Sequence, residues 1–194
     1  MKIRTVLFAA AAAIALPSFA VAGPDEPAKP TAPAQLSELE RDELLHRHHV
    51  NVMEVEMGAM AKQRGTVPVK KYGAMLVVDH SKADKGVQAL AKLRGVTLTD
   101  HPMGVAEADA HKKSMELMAR LQTLEGEAFD REYVDAMVTG HESEIERVTA
   151  ALPQVTDAKV KALLRKTLPS LRKHADHAKR LQVKLTAQAQ PATK

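Results

Sequence analysis

The sequence predicts an all-α protein, a bundle of four long helices arranged as two antiparallel hairpins with a long crossover between them. Three observations predict it. The composition favours helix: Ala, Leu, Met, Lys, Glu and Gln dominate, aromatic residues make up 3% and tryptophan is absent, which argues against barrels and sandwiches. The stretch from Val69 to Arg94 carries a helical stripe. Advancing 100° per residue, Val69, Tyr72, Leu76, Ala83, Val87 and Leu90 fall within about 40° of Leu76, with Lys71, Ser81, Lys82, Lys85 and Lys92 opposite. Finally, Gly65, Gly95, Gly126 and Pro153 punctuate the patterned region at intervals suited to long helices.

The elements follow in order. Lys2 and Arg4, the eleven-residue apolar run Val6 to Leu16, Pro17 and the A-x-A signature Ala20-Val21-Ala22 read as an export signal, residues 1–22, cleaved after Ala22. The run is too short to span a bilayer of roughly 30 Å, and no later stretch approaches the length of a transmembrane helix. Export implies a periplasmic protein with no membrane span once the signal is gone. Residues 23–35 hold Pro24, Pro27, Pro30 and Pro33 and read as a disordered, extended tether. The bundle domain is expected over 36–186.

Ser37 followed by Glu40 is a capping box opening the first long helix, which runs to Arg64 with Leu45, His49, Val52, Met53, Glu56 and Met60 on one face. Gly65 ends it, and Pro68 lies in the first turn of the second helix, which runs to Arg94. Val105 to Leu124 predicts a weaker crossover helix carrying Met115, Met118 and Leu121. The third long helix, Glu127 to Leu152, presents Tyr133, Met137, His141, Ile145 and Val148. After Pro153 and Asp157 the fourth, Ala158 to Leu185, turns Val160, Leu164, Leu168, Leu171, Ala175 and Ala178 inward, with Pro169 expected to kink or restart it. The polar tail 187–194 is expected to fray. Short, long and short connections are the ferritin-like way of building a four-helix bundle.

Charge and composition exclude several functions. The net charge of +4 falls to +2 once Lys2 and Arg4 leave with the signal, and with no basic block and few aromatics nothing supports nucleic-acid binding. The absence of cysteine removes disulfides, thiolate ligands and cysteine nucleophiles. No Gly-rich phosphate loop, G-x-S-x-G elbow or H-E-x-x-H occurs. The methionines at helical spacing read as gap filling in an aromatic-poor core.

What remains is histidine. Each long helix places one on or beside its apolar stripe: His49, His80, His141 and His174. Glu56 lies two turns from His49, and Glu144 is three residues from His141. Burying such groups is costly unless they are paired or coordinated, and imidazole with carboxylate suits a transition metal. Counted from the first turn, His80 comes level with residue 52. In the other hairpin His141 and His174 differ by roughly 9 Å in height. The expected ligand set is therefore His49, Glu56, His80 and His141, with Glu144 and His174 at its edge and Asp79 orienting a histidine from behind. Such a site takes one transition-metal ion or a small ligand, without catalysis. The alternative is a metal-free polar network that fixes helix register in a structural or envelope-stress module. His46, His48, His101 and His111 read as surface or linker residues, and His177 as flanking.

Three blocks carry a resemblance: YGAMLVVDHSKADKGVQALAKLRGV, GEAFDREYVDAMVTGHESEIERV and TLPSLRKHADHAKRL. With Asp79-His80, Phe129-Asp130, Tyr133, His141, Pro169 and His174 in these positions, the chain resembles an exported bacterial domain family of unknown function. Its members are commonly labelled predicted outer membrane proteins and assigned to the ferritin-like superfamily. The resemblance implies a ferritin-like bundle. No alternating strand pattern supports an outer-membrane barrel, so the expectation is a periplasmic protein with a homo-oligomeric or envelope partner. A ferritin-type di-metal redox site needs E-x-x-H on two helices, and here Val77 and Leu171 stand three residues before His80 and His174.

Overall fold

Five helices and no strand make up the described residues, 35–99 and 105–189, of the computed structural model. The expected signal 1–22, most of the expected tether and the end of the tail lie outside the described residues, as does His101. Helix α1, Glu38–Arg64, opens on the capping box: Glu40 N–H donates to Ser37 Oγ (3.3 Å) and Ser37 N–H to Glu40 Oε2 (2.9 Å). Helix α2, Val67–Arg94, ends where Gly95 adopts a left-handed φ of 66° and Val96 N–H reaches back to Ala91 O, an ending a side chain at that position resists. Helix α3, Val105–Leu121, precedes α4, Gly126–Ala151, and α5, Ala158–Ala189. Asp157 caps α5, its Oδ1 accepting from Lys159 and Val160 N–H at 2.9 Å.

Pairings across the bundle give the topology. His48 meets Asp84, Asn51 meets His80, and a Cβ added to Gly73 would lie 2.6 Å from Gly58 O, so α1 and α2 run antiparallel and touch backbone to backbone. Glu142 with Lys179 and Asp135 with Gln182 make α4 and α5 antiparallel too. Asp79 with Lys173 joins α2 to α5, and Arg147 with Glu43 joins α4 to α1. The four long helices thus stand in the cyclic order α1, α2, α5, α4, with α2 and α4 parallel across the diagonal. Two parallel helices in succession need a return connection, and α3 supplies it. It lies beside α1, where His111 faces His49 and Leu124 O accepts from Arg64.

Both turns are held by a buried carboxylate from the opposite hairpin. Asp130 on α4 accepts from Thr66 N–H at 2.9 Å and from the Thr66 hydroxyl. At the other end Glu40 Oε1 accepts from Thr156 N–H (2.6 Å), Asp157 N–H (2.7 Å) and the Thr156 hydroxyl (3.0 Å). Between these ends the apolar core is split in two. One cluster gathers Met57, Tyr72, Leu76, Leu121, Phe129, Tyr133 and Met137, the other Leu44, Val87, Leu90, Val148, Val160, Leu164 and Leu171. A polar layer separates them.

Several details differ from the sequence reading. Helix α1 buries Leu45 and Met60 of the expected stripe, but it also buries Glu40, Glu43, Leu44, Arg47, His48 and Asn51, while His49 is half-buried and Glu56 exposed. The cause is the polar layer itself: where charged residues face inward, apolar periodicity no longer marks the interior. Helix α3 stops at Leu121 and leaves Met115 half exposed, whereas Met118 and Leu121 are buried. Helix α5 continues through Pro169 without restarting, although Pro169 has no N–H to give Arg165 O, and it extends to Ala189.

Candidate metal centre

Three buried imidazoles occupy the polar layer: His80 from α2, His141 from α4 and His174 from α5. Their ring centroids lie 5.1 Å (His80–His174), 5.3 Å (His141–His174) and 6.0 Å (His80–His141) apart. Each ring uses one nitrogen on an acceptor that carries no hydrogen. His80 Nδ1–H donates to Asn51 Oδ1 (2.9 Å), His141 Nδ1–H to Met137 O (2.8 Å) and His174 Nε2–H to Asp79 Oδ2 (2.9 Å). These bonds dictate the tautomers and leave His80 Nε2, His141 Nε2 and His174 Nδ1 as bare lone pairs. All three are buried without a hydrogen-bond partner, and the three rings offer nitrogens within 4.8 Å of one another.

A fourth group joins from α1. Glu54 Oε1 lies 4.0 Å from His141 Nε2, and Glu54 Oε2 is buried without a partner. Beside them the buried Tyr133 hydroxyl likewise lacks a partner, whereas Tyr72 O–H donates to His174 O (3.2 Å). Burial controls the charge here. It pushes the Glu54 carboxyl up, against the opposing pull of His141. It holds His80 down at about 3, helped by its two imidazole neighbours, and lowers His174 despite the bond to Asp79. Asp79 is held low, chiefly by the hydrogen bond from His174. His80 and His174 are therefore neutral at physiological pH.

The remaining residues of the expected set lie elsewhere. Glu56 is exposed, on the far side of α1 from Glu54, about 200° away. His49 faces His111 on α3, Nε2 to Nδ1 at 3.2 Å. Glu144 accepts from His46 Nε2 (3.0 Å) and from Arg47; burial raises its carboxyl, but these partners outweigh burial and hold it at about 2. His48, read as a surface residue, is buried, its Nδ1–H donating to Asp84 Oδ1 at 2.6 Å. Asp79, expected to orient a histidine, accepts from His174. His177 packs its ring on Tyr72 with centroids 5.0 Å apart.

Sequence reasoning passed over Glu54 and Asn51. The signal was present: His80 was placed level with residue 52, and the polar residues within two positions of that level are Asn51 and Glu54. The 9 Å mismatch between His141 and His174 also vanishes. Residues 152–157 run on past the end of α4, so α5 begins about 9 Å further along the bundle and its sixteenth residue beyond Ala158 comes level with His141.

Chemically, three imidazoles converge from three helices, with the Glu54 carboxyl group from a fourth beside His141. A tetrahedral ion with Zn–N distances of about 2.0–2.1 Å sets its nitrogens about 3.4 Å apart. The three rings offer nitrogens within 4.8 Å of one another, at most about 1.4 Å wider than that spacing.

A protein-family model described as a domain of unknown function (DUF4142) matches residues 25–181. No curated protein and no solved structure matches the chain.

Proposed function

We propose that this protein, which belongs to the DUF4142 family, binds one divalent transition-metal ion through His80, His141, His174 and Glu54. The observation that carries the reading is the set of three buried, unpartnered imidazole nitrogens, each turned inward by a hydrogen bond on the other side of its ring. Leaving such an atom unsatisfied costs about 1–3 kcal/mol, so three together are explained by a shared ligand. Asn51, Met137 O and Asp79 orient the rings as outer partners orient metal-binding histidines. Three imidazoles and a carboxylate suit Zn, Fe, Mn, Ni or Cu(II). They do not make the set of four carboxylates and two histidines on which di-iron bundles are built, which favours binding over oxygen chemistry.

The parallel α2 and α4 with α3 returning between them support a ferritin-like arrangement, and residues 1–22 support export to the periplasm. No described helix is long and apolar enough to cross a membrane. The test is metal analysis of protein purified from its exported form, before and after chelation and reloading with Zn(II), Mn(II) and Co(II). Stoichiometric metal in the wild type, lost in the His80→Ala, His141→Ala double variant, is the expected result. A wild type that takes up none of these ions on reloading refutes the site and leaves a polar layer whose role is register.

A further inference from the structure

A cleft of about 300 Å³ opens between α1, α2 and α5, and His80 and His174 form part of its wall. Four cationic side chains line it, Arg47, Lys82, Lys166 and Lys173, against one carboxylate, Asp79. That carboxylate is already engaged by His174 at 2.9 Å and Lys173 at 3.3 Å. Arg47 is likewise engaged, by Glu144 and Glu43. Lys82 on α2 and Lys166 on α5 are different: both are exposed, and neither has an ion-pair partner among the described residues. Two uncompensated ammonium groups therefore stand on two walls of one concavity, with Thr167 and Ser170 supplying hydroxyls and buried Asn51 an amide.

We propose that this cleft binds a small multivalent oxyanion, held by Lys82 and Lys166. A volume of about 300 Å³ is at the small end of ligand pockets, which suits a compact anion. Low-dielectric walls concentrate the field of the two lysines, and a multivalent anion gains from both at once. Ammonium groups act as point charges without the planar fork that selects one oxyanion geometry, so phosphate and polycarboxylate share the required chemistry. The cleft reaches the histidine layer from its solvent side, so an anion there lies beside any ion on His80 and His174. The anion site itself does not depend on that ion.

The experiment is calorimetric titration of chelated, metal-free protein with inorganic phosphate and, in a second arm, with citrate, at low and physiological salt. Acetate serves as the monovalent control. Binding of either probe, weakened about tenfold or more in the Lys82→Ala, Lys166→Ala double variant and weakened by salt, is expected. The stronger arm tells a phosphoryl from a carboxylate ligand. Both lysines are exposed, so the variant keeps the wild-type fold, checked by circular dichroism, and retains its metal uptake. Failure of both probes to bind, or binding unchanged in the double variant, overturns the proposal. Loss of metal uptake in His80→Ala, His141→Ala protein bears only on the metal reading.

Discussion

Glu40 offers the sharpest quantitative test of how this bundle is held together. Its carboxylate is buried, yet it accepts from the backbone of Ser37, Thr156 and Asp157 and from the Thr156 hydroxyl. Burial raises its carboxyl, but those donors outweigh burial and bring it from an ordinary 4.5 to about 2. At about 1.36 kcal/mol per unit, the ionised group stabilises the native state by about 3 kcal/mol. Because the folded value lies below the unfolded one, that contribution is complete above about pH 5.5 and is lost as the pH falls toward 2. Glu40→Gln keeps the shape and removes the charge. Urea unfolding of both proteins between pH 7 and pH 3 is the assay. The variant is expected to be less stable by about 3 kcal/mol at pH 7, with the gap narrowing by about 2 kcal/mol at pH 3. Glu144, also held at about 2, titrates in the same range in both proteins and cancels in the comparison. A gap that stays constant with pH refutes the reasoning, since neutral hydrogen bonding would then account for all of it.

Other outcomes follow from the same geometry. Asp79→Asn removes the charged partner of His174 and is expected to weaken metal binding about 10- to 100-fold with little change in fold, read by competition with a chromogenic chelator. Tyr133→Phe deletes a buried hydroxyl that has no partner, so the metal-free protein is expected to be as stable as wild type or more so in thermal unfolding. Gly73→Ala places a methyl 2.6 Å from Gly58 O and 2.7 Å from Ala61 Cβ, where backbone must move; a loss of about 1–3 kcal/mol is expected in spite of alanine's better helix propensity. If the signal is processed as read, mass spectrometry of the exported protein gives an N-terminus at Gly23.

Much of the architecture was legible because most of the helices obey a simple rule. Val69, Tyr72, Leu76, Val87 and Leu90 are all buried, though Ala83 of the same stripe is exposed, and Gly95 stops α2 in the conformation only glycine adopts freely. Tyr133, Met137, His141 and Val148 face inward on α4 as their spacing requires. Helix α1 breaks the rule. It turns Glu40, Glu43, Arg47, His48 and Asn51 to the interior, so a stripe that runs correctly through Leu45 and Met60 misplaces His49 and Glu56. Apart from the local bonds of Glu40 to Ser37 and Arg47 to Glu43, those inward polar groups are met by residues about 30 to 120 positions away: Asp84, His80, Glu144, Arg147 and the turn at Thr156. Long-range pairing of this kind leaves no periodic trace in one segment. The meeting of His141 and His174 was hidden for a related reason, since it depends on the path of a six-residue connection.

The two buried carboxylates at the turns have a consequence for how the middle behaves. Asp130 and Glu40 each tie one hairpin's bend to the other hairpin, at opposite extremes of the long axis. Anchored there, the rods resist sliding lengthwise past each other, so their register is set independently of what the polar layer between them holds. On the metal reading proposed above, side chains and not backbone would travel at that waist to grip an ion, and it would load and leave without the fold being taken apart.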